Sequence, residues 1–495
     1  MKSYIKKPNS IKKNDLISLK SLSPYSFRKI KCVNSNTKIL KSFLVENKKG
    51  NEFGSDSYIK FSDNYFIRIG DMSDIDFTIA ETKKTLKVKI PLTSKGTLKK
   101  GDICYQTASN VGNVCFYNGK GAFYNSHIRK LSFKENKFYI FSMLKSSFCR
   151  NQVDIGGSIK GVDNFSENYL LNTIIPFPTK KQNEDPKNIE VLVSIITQNI
   201  IDKEEQIKFK IQAIDKEISK ELQNNQKPKQ FIYKYPRLSD LKRENRLDSG
   251  LYTKEYKMNN FLIKNYNNGC FNINVEEFKS GSTPKIRIFN GKKYDYKWVT
   301  PTNIQDDGFY QPIEKISMPT PFNLTKDAVL LINRTSKGKK GEYVGIACFY
   351  DYQYYGKGHH NQGLYRVENF SKNKKLFIVA FMNSKTMRTI CGNISIGSKM
   401  KEMKSYDFEK IVIPNFTETK QKKIIKYYYN QVKHPRSITL KNYFTENKKR
   451  NKELGVHQLN IEIFNLKNKL EDLIDKIIMD EKIIIDDYLY PSAKG

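Results

Sequence analysis

From Lys187 to Leu222 the apolar residues Ile189, Leu192, Ile196, Ile200, Ile207, Ile211, Ile214 and Ile218 recur in steps of three and four, and Lys203 interrupts the seam. This spacing predicts a helix with one narrow apolar stripe, the pattern that a coiled-coil partner covers. At 1.5 Å per residue the segment would be roughly 50 Å long, too long for an ordinary core helix, so a partner of similar length is expected. A matching seam lies near the C-terminus at Leu459, Ile463, Leu466, Leu470, Leu473 (or Ile474) and Ile477. The two are expected to run antiparallel.

Outside this seam the period changes. Before the helix, YFIRIGDM (Tyr65 to Met72), TLKVKIPL (Thr85 to Leu92), GDICYQT (Gly101 to Thr107) and NVCFYNG (Asn113 to Gly119) are short β-branched and aromatic runs broken by Gly, Asn and Asp, which predict strands. YIFSMLKSSFCRNQV (Tyr139 to Val153) predicts a helix, and LLNTIIPFP (Leu170 to Pro178) a strand that its prolines stop. After a polar break at QNNQKPKQ the same blocks return in the same order. CFYNGKGAFYNSHIRKL (Cys115 to Leu131) is echoed by CFYDYQYYGKGHHNQGLYRV (Cys348 to Val367), LNTIIPFP by FEKIVIPNF (Phe408 to Phe416), and YFIRIGDM by YKWVTPTNI (Tyr296 to Ile304). Collinear echoes at a spacing of about 235 residues mark an internal duplication. ETKQKKIIKYYYNQV (Glu418 to Val432) predicts a helix ended by His434 and Pro435, with an insert before the second seam resumes. The expected fold class is α/β (α+β): two pseudo-repeated mixed domains, residues 1–180 and 233–416, separated by a pair of long antiparallel coiled-coil helices. The spacer helix is expected over 187–226, with its mate inside a C-terminal helical region, 417–485.

Composition narrows the function. Lys plus Arg number 87 against 51 Asp plus Glu, a net charge of +36 spread through folded-looking sequence. That excess goes far beyond what solubility requires and points to a polyanion, with nucleic acid first. Seven cysteines without a CxxC pair suggest neither a disulfide framework nor a zinc site, and they read as reduced, mostly buried thiols. MKSYIKKPNSIKKNDL lacks the apolar run of a secretory signal, and no stretch approaches a membrane span, so a cytoplasmic protein is expected.

The motifs of phosphate loops, dinucleotide loops, zinc hydrolases and serine hydrolases are missing, as are the NPPY or DPPY and FxGxG signatures of adenine methyltransferases. No catalytic residue and no metal site is assigned. Binding chemistry is more visible. RTSKGKKGEYVG places Arg334, Lys337, Lys339 and Lys340 in a Gly-punctuated turn, where cations suit phosphates and Arg334 suits a bidentate guanine contact. The equivalent turn of the first copy, QTASNVGN, offers Gln106, Ser109, Asn110 and Asn113 and is nearly uncharged. EFKSGSTPKIRIFNGKKYDYKW adds Lys279, Lys285, Arg287, Lys292 and Lys293 among aromatics, and Trp298 is read as core. His127, Arg129, His359 and His360 complete the DNA-contact candidates, the last two as loop residues facing phosphate or base.

These blocks resemble a known family. SGSTPK (Ser280 to Lys285), YKWVTPTNI, the RTSKGKKG turn and IVIPNF leading into TETKQKKI, together with GTLKKGDICYQTASNVGNVCFY and IIPFP in the first copy, are similar to the DNA-specificity subunits of type I restriction-modification systems. The first copy departs from the pattern in lacking a GxTP opening. The resemblance implies two target-recognition domains that each read half of a bipartite, asymmetric site in double-stranded DNA. It also implies a non-catalytic chain partnered by methyltransferase subunits that carry S-adenosylmethionine, and by a restriction subunit using ATP and Mg. Two other readings follow from the residues: a fused methyltransferase or nuclease with a degenerate site, or a scaffold that binds nucleic acid without sequence preference.

Overall fold

The computed structural model describes residues 3–14, 27–82, 84–89, 96–158, 167–244, 246–247, 249–283, 296–312, 315–316, 322–336, 343–397 and 400–490. Among them are nine helices of nine or more residues: α1 (Lys137–Lys145), α2 (Ser147–Ser158), α3 (Pro186–Asn224), α4 (Lys254–Lys264), α5 (Lys372–Met382), α6 (Lys385–Ile394), α7 (Glu418–Tyr428), α8 (Tyr443–Asn451) and α9 (Val456–Met479). The chain divides into two compact units. The first comprises Met1–Gln206, Lys433–Lys452 and Ile461–Lys494; the second comprises Ile207–Val432 and Glu453–Asn460. The helical segments expected as separate regions are thus shared out between the units.

In the first unit, a five-stranded sheet runs in the order Leu44–Lys49, Ile128–Phe133, Ile103–Gln106, Val114–Tyr117, Thr78–Ile79. Only the last pairing is parallel. Every residue of the Ile103–Gln106 and Val114–Tyr117 strands is buried, so these runs are apolar or aromatic at all positions but Gln106 rather than alternating. A smaller sheet has Tyr65–Ile67 at its centre, parallel to Phe123–Tyr124 and antiparallel to Leu86–Lys87. A third pairing joins Ile174–Pro176 to Thr37–Ile39. The single helix expected over 139–153 is two, α1 and α2, because Ser146 turns to an extended ψ of 156° while its hydroxyl bonds the Met143 carbonyl.

The second unit repeats this plan. Its larger sheet runs Lys279–Ser280, Leu364–Val367, Ala328–Ile332, Ala347–Tyr350. Tyr296–Val299 pairs in parallel with Gly358–His360 and antiparallel with Lys315–Ile316, and Cys270–Asn272 pairs with Val412–Pro414. The duplication read from sequence is therefore present in the pairing of the strands. Register corrects one detail. Phe66 faces Phe123 and Trp298 faces His359, so the equivalent of Phe66 is Trp298, one residue away from an alignment of Tyr65 with Tyr296. The short helix Tyr352–Tyr355 accounts for the extra residues of the second copy after CFY.

The long helix forms as its seam predicts. Ile189, Leu192, Ile196, Ile200, Ile207, Ile214 and Ile218 are all buried, and so is Lys203. Its support differs along its length. In the first unit the first half of α3 runs antiparallel to α9: Lys203 meets Glu462 at 2.6 Å, Glu204 meets Lys467 at 3.0 Å, and the chain just before α3 reaches the other end of α9 through Gln182, which donates to the Ile477 carbonyl. In the second unit the other half of α3 runs antiparallel to α7, with Glu217 paired to Lys423 and Glu221 to Lys420. The expectation that the Leu459–Ile477 seam covers the whole of Ile189–Ile218 is thus corrected: α9 pairs with the first half and α7 with the second. Helix α7 also stops earlier than His434 and Pro435 would require, at Tyr429, whose backbone turns extended while its hydroxyl bonds Asp351 at 2.9 Å. Gly455 lies against that end, where a Cβ would meet the Asn430 nitrogen at 2.4 Å and the Tyr428 carbonyl at 2.7 Å. Residues 429–455 therefore leave and re-enter one helix line at a single point.

Candidate nucleic-acid interface

In the first unit the turn between Ile103–Gln106 and Val114–Tyr117 carries four of the sequence candidates. Gln106 and Asn113 are buried and face inward. Gln106 Nε2 donates to the Ala108 carbonyl at 2.8 Å, and Lys145 Nζ donates to Asn113 Oδ1 at 3.2 Å and to the Val114 carbonyl at 2.9 Å. Burial lowers the Lys145 pKa, opposed by the neighbouring anionic groups. Asn110 is held between Asp74 and Arg150. Ser109 is exposed and sits at φ 62°, the left-handed region that aims a tight turn outward. Beside this turn, the Thr107 amide bonds the His127 carbonyl at 2.8 Å, so His127, also exposed, joins Ser109 on the same rim. Arg129 points elsewhere, into an ion pair with Glu167 at 3.0 Å and a bond to Asn47 at 3.1 Å.

In the second unit the start of the equivalent connection is held in the same way. The Asn333 amide bonds the Gly363 carbonyl at 3.0 Å, matching Thr107 and His127, which puts Arg334 where the first unit has Ala108. Arg334 is half-buried, and its backbone pairs with Glu402. Lys337, Lys339 and Lys340 lie outside the described residues, as do Lys285, Arg287, Lys292 and Lys293. Lys279 is exposed on the edge strand.

His359 and His360 are not loop side chains. They belong to the strand Gly358–His360 and are buried at 4% and 0% exposure. His359 stacks on Trp298 with ring centres 5.6 Å apart, and its Nε2 lies 3.0 Å from the Ser282 hydroxyl. His360 Nδ1 lies 2.9 Å from Asn323 Oδ1, and burial pushes its pKa down to about 3. Both imidazoles are packed parts of the second unit, which corrects the expectation that they face phosphate or base. Trp298 is core, as read.

The structure adds residues that a search for cations passes over. Beside the buried histidines, Ser282, Thr283, Thr300, Thr302 and Asn361 form a partly exposed polar rim. Asn361 Nδ2 donates to the Thr283 hydroxyl at 3.0 Å, and the Thr300 and Thr302 hydroxyls are 2.6 Å apart. Such groups can donate to and accept from base edges and phosphates. In the first unit Arg68 takes the place of Thr300: each residue's backbone N–H is capped from three residues on, by Asp71 at 2.8 Å and by Asn303 at 3.2 Å. Arg68 is exposed. Uncharged hydroxyl and amide residues are common in any loop, so only their convergence in space singles them out.

Gly281 and Gly50 seat these rims. A Cβ at Gly281 would lie 2.3 Å from the His360 carbonyl, and one at Gly50 would lie 2.4 Å from the Tyr124 carbonyl. The first copy therefore has the close approach of the SGSTPK block, carried by a glycine whose neighbours have diverged.

No helix among the described residues is long and apolar enough to cross a membrane. No protein-family description matches the chain. No curated protein matches it. Among solved structures it is similar to the S subunit of a type I restriction-modification system from M. genitalium, at 13% identity and a TM-score of 0.38, over 90% of this chain and 97% of that one. It is also similar to the HsdS subunit of Thermoanaerobacter tengcongensis, at 12% identity and a TM-score of 0.26, over 90% of this chain and 96% of that one. A structure described as bearing on the assembly and conformational transition of the type I R-M system is matched at 12% identity and a TM-score of 0.27, over 91% and 99%.

Proposed function

We propose that this chain is the DNA-specificity subunit of a type I restriction-modification complex. The observation that carries the reading is the duplication: one chain holds two units that share four strands of the larger sheet in the same order and the same glycine-seated rim, while the side chains on the two rims differ. Two readers of one scaffold with different chemistry suit a bipartite, asymmetric site. The net charge of +36 suits the phosphate contacts that dominate the affinity of any DNA reader. In this reading Ser109, His127 and Arg68 serve one half-site, and Arg334, Lys279 and the Thr300–Asn361 rim serve the other. Helix α3, which contributes to both units, sets the gap between the half-sites. Methyltransferase subunits carrying S-adenosylmethionine would supply adenine methylation, a restriction subunit using ATP and Mg would supply cleavage, and this chain would contribute recognition without catalysis.

Sequencing adenine methylation across the host genome with and without the gene tests this reading. A bipartite motif that loses methylation when the gene is removed is the expected result. An unchanged methylome, with purified chain binding random and specific duplexes equally, would favour a scaffold without sequence preference. Methyl-donor binding by the purified chain alone would favour a fused methyltransferase.

A further inference from the structure

The lysine that breaks the α3 seam is wholly buried in the first unit. Lys203 Nζ meets Glu462 of α9 at 2.6 Å and the side-chain carbonyl of Asn451 of α8. Arg450 of α8 grips the same Glu462 through both terminal nitrogens, at 2.8 and 2.5 Å. Asn451 Nδ2 in turn donates to Asn199 at 2.9 Å and to Asp202 at 2.7 Å, both on α3. His434 adds a 3.8 Å approach to Glu462. Three helices thus meet in one charged node, next to the Glu204–Lys467 pair, inside a largely apolar seam. Burial would raise the Glu462 pKa, but Lys203 and Arg450 together hold it down to about 2, and burial lowers that of Lys203 against the pull of Glu462.

The seam alone leaves its register open. Along this half of α3 it is nearly all isoleucine, and α9 offers Leu459, Ile463, Leu466, Leu470 and Leu473, so a slip of one heptad would exchange one aliphatic contact for another. The charged node does not tolerate that slip. A slip of one heptad would set Lys203 against Lys469 or Gly455 in place of Glu462 and leave both Lys203 and Glu462 without their partner, a costly arrangement in a helix interface. We propose that Lys203, Glu462 and the α8 pair Arg450 and Asn451 are positioning residues that fix the register of α3 against α9. The 429–455 insert is accordingly a register clamp, and the break at Lys203 is its docking point.

The test uses the full-length chain with Cys32 and Cys270, the two half-buried thiols, changed to serine. Spin labels go at the exposed positions Val191 on α3 and Asn468 on α9. Pulsed electron–electron resonance is expected to give one distance in the parent chain. The variant Lys203→Leu/Glu462→Leu/Arg450→Met should fold with an undiminished melting temperature, yet show a second distance from a population slipped along the axis by about 10 Å, one heptad at 1.5 Å per residue. Glu462→Gln keeps the shape of the node and should show that distance as a minor population. One unchanged distance in both variants would overturn the proposal.

Discussion

The two units share a backbone plan and fill it with different chemistry. At the parallel pairing of the smaller sheet, the first unit has Phe66 and Ile67 against Phe123 and Tyr124, whereas the second has Trp298 and Val299 against His359 and His360. One of these cores is free of histidine and the other buries two imidazoles. At the turn after Gln106, the first unit packs Gln106, Asn110 and Asn113 against its own residues and leaves Ser109 and His127 outward, while the second places Arg334 in the slot of Ala108. What both keep is the glycine against the crossing carbonyl, Gly50 and Gly281, because there the requirement is space rather than chemistry. Helical support diverges as well: α9 covers one half of α3 and α7 covers the other. Duplication has preserved what the backbone geometry demands and released the rest.

The contrast can be strained most by acid. His360 is folded with its pKa near 3, below its unfolded value of about 6.5, so the unfolded chain takes up the proton first. The stability this neutral imidazole contributes is complete above pH 6.5 and falls as pH drops toward 3, by about 1.4 kcal/mol per pH unit. The protection factors of amide hydrogen exchange in the Ala328–Ile332 strand, taken against the intrinsic rate at each pH, should therefore fall below pH 6.5, and in His360→Gln this slope should flatten whatever the substitution costs at neutral pH. An unchanged slope would mean that His360 does not set the acid response of the second unit. Gly50→Ala and Gly281→Ala come next: each forces a Cβ onto a carbonyl, and each should cost about 1–3 kcal/mol in denaturant unfolding. If Gly50→Ala cost nothing while Gly281→Ala destabilised, the two positions would not be equivalent. The smallest effect is at the surface. Replacing Arg334 and Lys337 by Ala should weaken binding by about tenfold, near 1.4 kcal/mol, and relax the reading of one half-site only. Equal loss at both half-sites in a binding-site selection would break the two-reader comparison.

Much of this was legible in the chain because it rests on periodicity. The three-and-four step of Ile189 to Ile218 predicts α3, and the echo of Cys115 to Leu131 in Cys348 to Val367 predicts a second sheet of the same pairing. Side-chain placement was less legible. His359 and His360 carry polar labels in a Gly-rich stretch and so read as a loop, but Trp298, Ser282 and Asn323 give them partners that let them be buried on a strand. Thr300, Thr302 and Asn361 gave no signal, since neither charge nor spacing distinguishes them until strands some 60 residues apart bring them to one rim.

By itself the sequence determined the duplication, the strand blocks, the long helix and the cationic excess, all of which follow from local pattern and composition. Only the tertiary structure decided which helix covers which half of α3, why a lysine can stand in an apolar seam, and which polar residues converge on each rim. Those outcomes depend on partners distant in the chain. Lys203 is tolerable only because Glu462, Arg450 and Asn451 arrive from some 250 residues away to satisfy its charge.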